Sequence, residues 1–197
     1  MKLYRLNETD TEVVAEAVVF ALRQPGGVAL VPTETVYGLI ARAGDTTAEK
    51  RIFELKHRNA SKRLGWFIGD WRKLSKSGVI LDGWPEKLAS LYCPGALTII
   101  ARCANGSTQG FRVPDSELLL KVLEKMDVPL LQTSANASGM PDARSCQEAL
   151  SQLAGDVDCA VDGGIIPGDA QASTVVDATE ERIKILRQGK IDLQNLL

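Results

Sequence analysis

The chain is 197 residues long, 45% hydrophobic and 24% charged, an ordinary globular balance sized for one α/β domain or two small ones. Its net charge of −2 excludes a global positive field drawing it onto nucleic acid, so any phosphate-binding surface must be local. No apolar run approaches the roughly 20 residues needed to span a bilayer, and the opening MKLYRLNETDTEVV lacks the charged-then-apolar run of a signal peptide.

Residues 11–24 read as an amphipathic helix with Val13, Val14, Ala17, Val18 and Leu22 on one face, ended by Pro25-Gly26-Gly27. The apolar run Val28–Val31 reads as a buried strand that Pro32 closes. Thr46-x-x-Glu49 has the form of a capping box and opens a second helix carrying Ile52, Phe53 and Leu55. Strand-like runs follow near 64–68, 97–101, 110–113, 128–132, 158–161, 174–177 and 182–186. Helical patterns lie between them at 84–92, 115–126 and 145–154, the last opened by Ser145-x-x-Glu148. Strands alternating with helices predict an α/β layer structure. The sheet should be mixed, because some late strands are too close for crossover helices. Without internal repeat or linker, 1–197 reads as a single domain with its core at about 11–189 and a short tail at 190–197.

Four polar segments stand out. Pro32-Thr33-Glu34-Thr35-Val36-Tyr37-Gly38 places two hydroxyls, a carboxylate and a phenol directly after a buried strand; a turn whose threonines bond their own backbone would look the same. At the end of the second helix, residues 50–63 hold six cations (Lys50, Arg51, Lys56, Arg58, Lys62, Arg63) against Glu54 alone. A helix dipole favours such cations by a few tenths of a kcal/mol each, but four in eight residues suit a polyphosphate. Thr133-Ser134-Ala135-Asn136-Ala137-Ser138-Gly139 follows an apolar run and can turn backbone N–H groups toward an anion, although no Walker lysine follows. Ser173-Thr174-Val175-Val176-Asp177 and Ile185-Leu186-Arg187-Gln188-Gly189 read as two strands with an exposed arginine. Scattered cysteines and one histidine, His57, make a zinc site or a histidine-based triad improbable and fit reduced thiols in the cytoplasm.

In order and spacing, PTETVYG, K-x-R, CPGALT, FRVP, TSANASG, STVVD and ILRQG resemble the YrdC-like family of threonylcarbamoyl-AMP synthases, from about Val13 to Gly189. The sequence departs from the family pattern at Leu39-Ile40, at Arg58-Asn59, at LGWFIG and at Cys93-Pro94-Gly95-Ala96. The resemblance implies a YrdC-like twisted mixed sheet with flanking helices around a deep, positively charged cavity. It implies a nucleotidyltransferase that condenses L-threonine, bicarbonate and ATP to threonylcarbamoyl-AMP and pyrophosphate, with Mg²⁺ arriving on ATP and no tightly bound cofactor or protein-held metal. Separate tRNA threonylcarbamoyl-transferase proteins would consume the product in the cytoplasm. Carried over by position, Thr33, Thr35, Arg112, Ser134 and Ser173 are expected at threonine, with Arg112 gripping its carboxylate as a fork. Lys56, Arg58, Lys62, Thr108, Asn136, Arg144, Ser145 and Arg187 are expected at the nucleotide, Lys56 and Arg58 as the catalytic cations. Lys50 and Arg51, a turn earlier, should tolerate alanine.

This inventory suits the chemistry. A carbamate is already anionic when it attacks the α-phosphorus, so positioning and charge neutralisation matter more than a strong base. Two other readings share the same residues: a family member adenylating another carbamate, and an RNA-binding module without ATP turnover. The net charge and the lack of an aromatic-rich basic stripe speak against more than weak RNA binding.

Overall fold

A computed structural model describes residues 1–60, 62–168 and 170–196; Ser61 of the cationic run and Leu197 of the expected tail lie outside the described residues. Among the described residues ten strands form one mixed sheet: β1 (Lys2–Arg5), β2 (Val28–Val31), β3 (Gly38–Arg42), β4 (Gly65–Phe67), β5 (Leu97–Arg102), β6 (Thr108–Arg112), β7 (Leu130–Ser134), β8 (Cys159–Asp162), β9 (Thr174–Asp177) and β10 (Lys184–Arg187). Their spatial order is β1-β8-β2-β3-β7-β4-β6-β5-β9-β10. The β1/β8, β8/β2, β4/β6 and β5/β9 pairs are parallel and the others antiparallel, as expected of a mixed sheet.

Among the described residues five α-helices cover the sheet: α1 (Thr11–Arg23), α2 (Thr46–Leu55), α3 (Trp84–Tyr92), α4 (Glu117–Met126) and α5 (Cys146–Gln152). In β2 all four residues are buried, and alternation divides them. Ala29 and Val31 pack with α1 and α4, whereas Val28 and Leu30 pack with α2 and α5. The buried stripe of α1 is Val14, Ala15, Val18, Val19 and Leu22, while Val13 is 51% exposed. The stripe is thus turned one position from the expected face, because α1 must meet α4 as well as the sheet.

The N-cap of α2 is Asp45, whose carboxylate accepts the N–H groups of Ala48 and Gly26, so the expected box at Thr46 starts one residue earlier. Ser145 does cap α5, but Glu148 reaches back to the N–H of Arg144. Part of the expected short tail at 190–197 packs onto the domain. Leu193 is fully buried, and the Thr174 hydroxyl donates to the carbonyl of Ile191. Among the described residues no helix is long and apolar enough to cross a membrane.

Candidate active site

The chain enters the site at the end of β2. Thr33 Oγ1 accepts the N–H groups of Thr35 and Val36 and donates to the Val36 carbonyl, locking the turn into β3. Because its hydrogen goes to that carbonyl, Thr35 must donate in the 2.9 Å contact between the two hydroxyls. Thr33 therefore holds the turn, as the plain backbone reading had it, and Thr35, 1% exposed, faces the cavity.

The end of α2 explains the sole histidine. His57 adopts a left-handed conformation (φ 49°), with Arg58 N–H donating to Phe53 O and His57 N–H to Glu54 O. This is a Schellman ending with histidine at the usual glycine position. The reversal sends the two flanking side chains to different places. Lys56 is 2% exposed, and its amine donates to the carbonyls of Ser134 and Asn136 beneath the TSANASG turn. Burial, then the nearby Arg58, push its pKa down to about 8. Arg58 lines the cavity, reaching Thr133 Oγ1 at 3.3 Å and the Arg63 carbonyl at 3.3 Å. Its Nε–H is buried with no partner among the described residues, and burial lowers its pKa.

Across the cavity, β6 ends at Arg112, which is 4% exposed. Its Nε donates to Gly95 O at 3.0 Å, both terminal nitrogens donate to Thr35 Oγ1 at 3.2 Å, and Nη2 lies 2.6 Å from Glu34 Oε1. The expected open fork is thus largely engaged within the protein. On the far wall, Ser173 Oγ lies 3.0 Å from Thr98 Oγ1, and Arg187 clamps the Ser173 carbonyl and hydroxyl. Gly189 makes this approach possible, since a Cβ there would fall 2.6 Å from the Ser173 carbonyl carbon. Burial lowers the pKa of Arg187.

The cavity so formed holds about 300 Å³, near the lower end of small-molecule sites. Thr35, Arg58, Thr108, Arg112, Ser134, Ser173 and Arg187 all line it. Four arginines (Arg58, Arg63, Arg112, Arg187) and no carboxylate occur among its described lining residues.

Other expected residues lie elsewhere. Lys56 underlies the turn, and Asn136 is engaged in it, donating to Met140 O at 2.6 Å. Lys62 and Arg144 are exposed and outside the lining, and Ser145 caps α5. By sequence, Arg63 has a role only as the fourth cation of the polyphosphate-suited run, and Thr98 of CPGALT none, yet both line the cavity. Arg51 is a second departure: it pairs with Asp158 and donates to the carbonyls of Gly26 and Asp156, so it is no neutral surface residue.

The Sua5/YciO/YrdC family model, described as telomere recombination, matches residues 21–189. The threonylcarbamoyl-AMP synthase of Pyrococcus abyssi is 35% identical over 180 residues, covering 87% of this chain and 53% of that protein. The putative threonylcarbamoyl-AMP synthase of Methanocaldococcus jannaschii is 28% identical over 203 residues, covering 100% and 95%. Among solved structures, P. abyssi Sua5 complexed with L-threonine superposes with a TM-score of 0.79 at 31% identity, covering 98% of this chain and 58% of that one. E. coli YciO shares the fold, with a TM-score of 0.84 at 24% identity and coverage of 100% and 98%. The chain spans about half the length of the P. abyssi protein. The extent of the family match and these identities lead to one conclusion: the chain belongs to the Sua5/YciO/YrdC family.

Proposed function

We propose that the chain is a threonylcarbamoyl-AMP synthase, joining L-threonine, bicarbonate and the Mg²⁺ complex of ATP as one cytoplasmic domain. The observation that carries this reading is the convergence of hydroxyls and four arginines from remote motifs on one cavity. P. abyssi Sua5, 31% identical, has been crystallised with L-threonine. In the reaction, threonine's amine and bicarbonate give a carbamate and water. A carbamate oxygen then attacks the α-phosphorus, and pyrophosphate leaves. Thr35, Arg112, Ser134 and Ser173 take the threonine side, with Thr33 fixing the turn that presents Thr35. Thr108, Arg58 and Arg187 take the nucleotide side. Arg58 meets the charge passing to pyrophosphate from the cavity wall, and Lys56 acts through the turn that it underlies, which also carries Asn136. The product would pass to tRNA threonylcarbamoyl-transferase proteins.

The test is incubation with ATP, bicarbonate and labelled threonine, followed for threonylcarbamoyl-AMP and pyrophosphate. Threonine should stimulate pyrophosphate release, serine less and valine least. An unpaired buried hydroxyl partner costs about 1–3 kcal/mol, roughly 5- to 150-fold. Equal stimulation by valine defeats the assignment of the hydroxyls, and product from carbamate without threonine points to a different carbamate substrate.

A further inference from the structure

Of the four cavity arginines, only Arg112 is in an ion pair among the described residues. Its partner Glu34 sits in PTETVYG, 15% exposed, and has no role in the reading above. Glu34 Oε1 lies 2.6 Å from Arg112 Nη2 and also accepts the N–H of Asp115 at 3.0 Å, so the carboxylate is held from two elements. Its other oxygen is buried with no partner among the described residues. Among the described residues, the hydrogen bonds of Arg58, Arg63 and Arg187 go to carbonyls and hydroxyls. The Arg112 end of the cavity is therefore charge-compensated, whereas the other three arginines are in no ion pair among the described residues.

Resting on the proposed function, we infer that Glu34 is a specificity-determining residue acting through Arg112, which makes that end of the cavity select a zwitterionic amino acid over a simple carboxylate. An uncompensated buried arginine would attract any small anion, and the triphosphate could lodge at either end. With Glu34 in place, a bare carboxylate gains from Arg112 and loses to Glu34. An α-amino acid also brings an ammonium group, which Glu34 attracts and Arg112 repels. The polyphosphate is left to the three arginines that have no ion-pair partner among the described residues. Glu34 also fixes the guanidinium, since Nη2 is shared between Oε1 and Thr35 Oγ1.

Calorimetry without ATP reads this independently of turnover. L-Threonine and 3-hydroxybutyrate, which lacks only the amino group, are titrated into the wild type, Glu34→Gln and Glu34→Asp. The wild type should prefer threonine by about tenfold or more, at the low end of the coupling that close charge pairs show. Glu34→Gln should narrow that ratio at least tenfold, chiefly by binding 3-hydroxybutyrate more tightly. Glu34→Asp, which keeps the charge, should restore most of the preference. Equal wild-type binding of the two ligands overturns the inference without any variant, so it stays testable if Glu34→Gln fails to fold. A parallel loss of both ligands in Glu34→Gln overturns it in favour of a purely structural role. If the wild type binds no threonine at all, the proposed function fails, and this inference with it.

Discussion

Lys56 is the residue where charge, burial and scaffold meet most sharply. Its amine is buried among two carbonyls, and its pKa falls from an ordinary 10.5 to about 8. The unfolded chain thus binds more protons than the folded one between about pH 8 and 10.5. Stability must rise with pH across that window, and below pH 8 the folded protein carries the full penalty of burying the charge. Lys56→Met removes the titration. The difference in unfolding free energy between wild type and variant should therefore shift in favour of the wild type from pH 7.5 to 10, by up to about 3 kcal/mol. Denaturant titrations at several pH values measure it, and a flat difference would contradict the buried-charge assignment. Arg58 makes the complementary case, because its unpartnered Nε–H and its place on the cavity wall suit an anion. Arg58→Ala should lower pyrophosphate release roughly 100- to 1000-fold, the usual effect of losing one preorganised donor to developing charge. Lys50, whose side chain is 80% exposed, is the proper control and should tolerate alanine. Arg51→Ala should instead cost about 1 kcal/mol of stability with turnover kept, through its pair with Asp158.

The ending of α2 shows how an element delivers these side chains. The left-handed turn at His57 separates Lys56, directed into the protein, from Arg58, directed to the cavity. A left-handed conformation costs an L-residue about 1–2 kcal/mol, and glycine avoids most of it. His57→Gly should therefore raise stability by up to about 1 kcal/mol and leave turnover near the wild-type level. Thermal unfolding and pyrophosphate release check both halves, and a large loss of activity would assign the imidazole a chemical role. Elements with strong local signals were legible in the sequence. The β2 run, the three later helices and the strand near 97–101 lie within a few residues of their expected bounds. Two strands left no such signal. β3 begins at the glycine of PTETVYG and is buried on both faces until Arg42, so it shows no alternation and reads as more of the motif loop. β1 is a short, mostly exposed edge strand with little apolar content to mark it. The α2 cap was misread by one residue because Asp45 and Thr46 are both good caps. Only the fold shows that Asp45 can also hold Gly26.

At the scale of the molecule, the cavity joins residues that the chain keeps far apart, and here sequence legibility ends. The Thr35–Arg112 and Thr98–Ser173 contacts span 77 and 75 residues, so no spacing rule connects them. Seven of the expected site residues are in the lining, but the motifs did not show that Glu34 would engage Arg112 or that Lys56 would lie beneath the turn. The charge pattern also bears on RNA. With net charge −2, the chain gathers four arginines inside a cavity of about 300 Å³, a volume for small molecules and not for a folded polynucleotide. A protein that acts by gripping six to ten backbone phosphates loses about 10³- to 10⁵-fold in affinity between 50 and 200 mM salt. On the proposed function, the initial rate of threonylcarbamoyl-AMP formation should be the same with and without added tRNA. At saturating ATP and threonine, it should change less than about threefold over that salt range. Pyrophosphate release measured with and without tRNA at both salt concentrations decides the matter. A rate that requires tRNA and collapses with salt would mean that the arginines serve an RNA backbone, whereas an unchanged rate leaves them to the nucleotide.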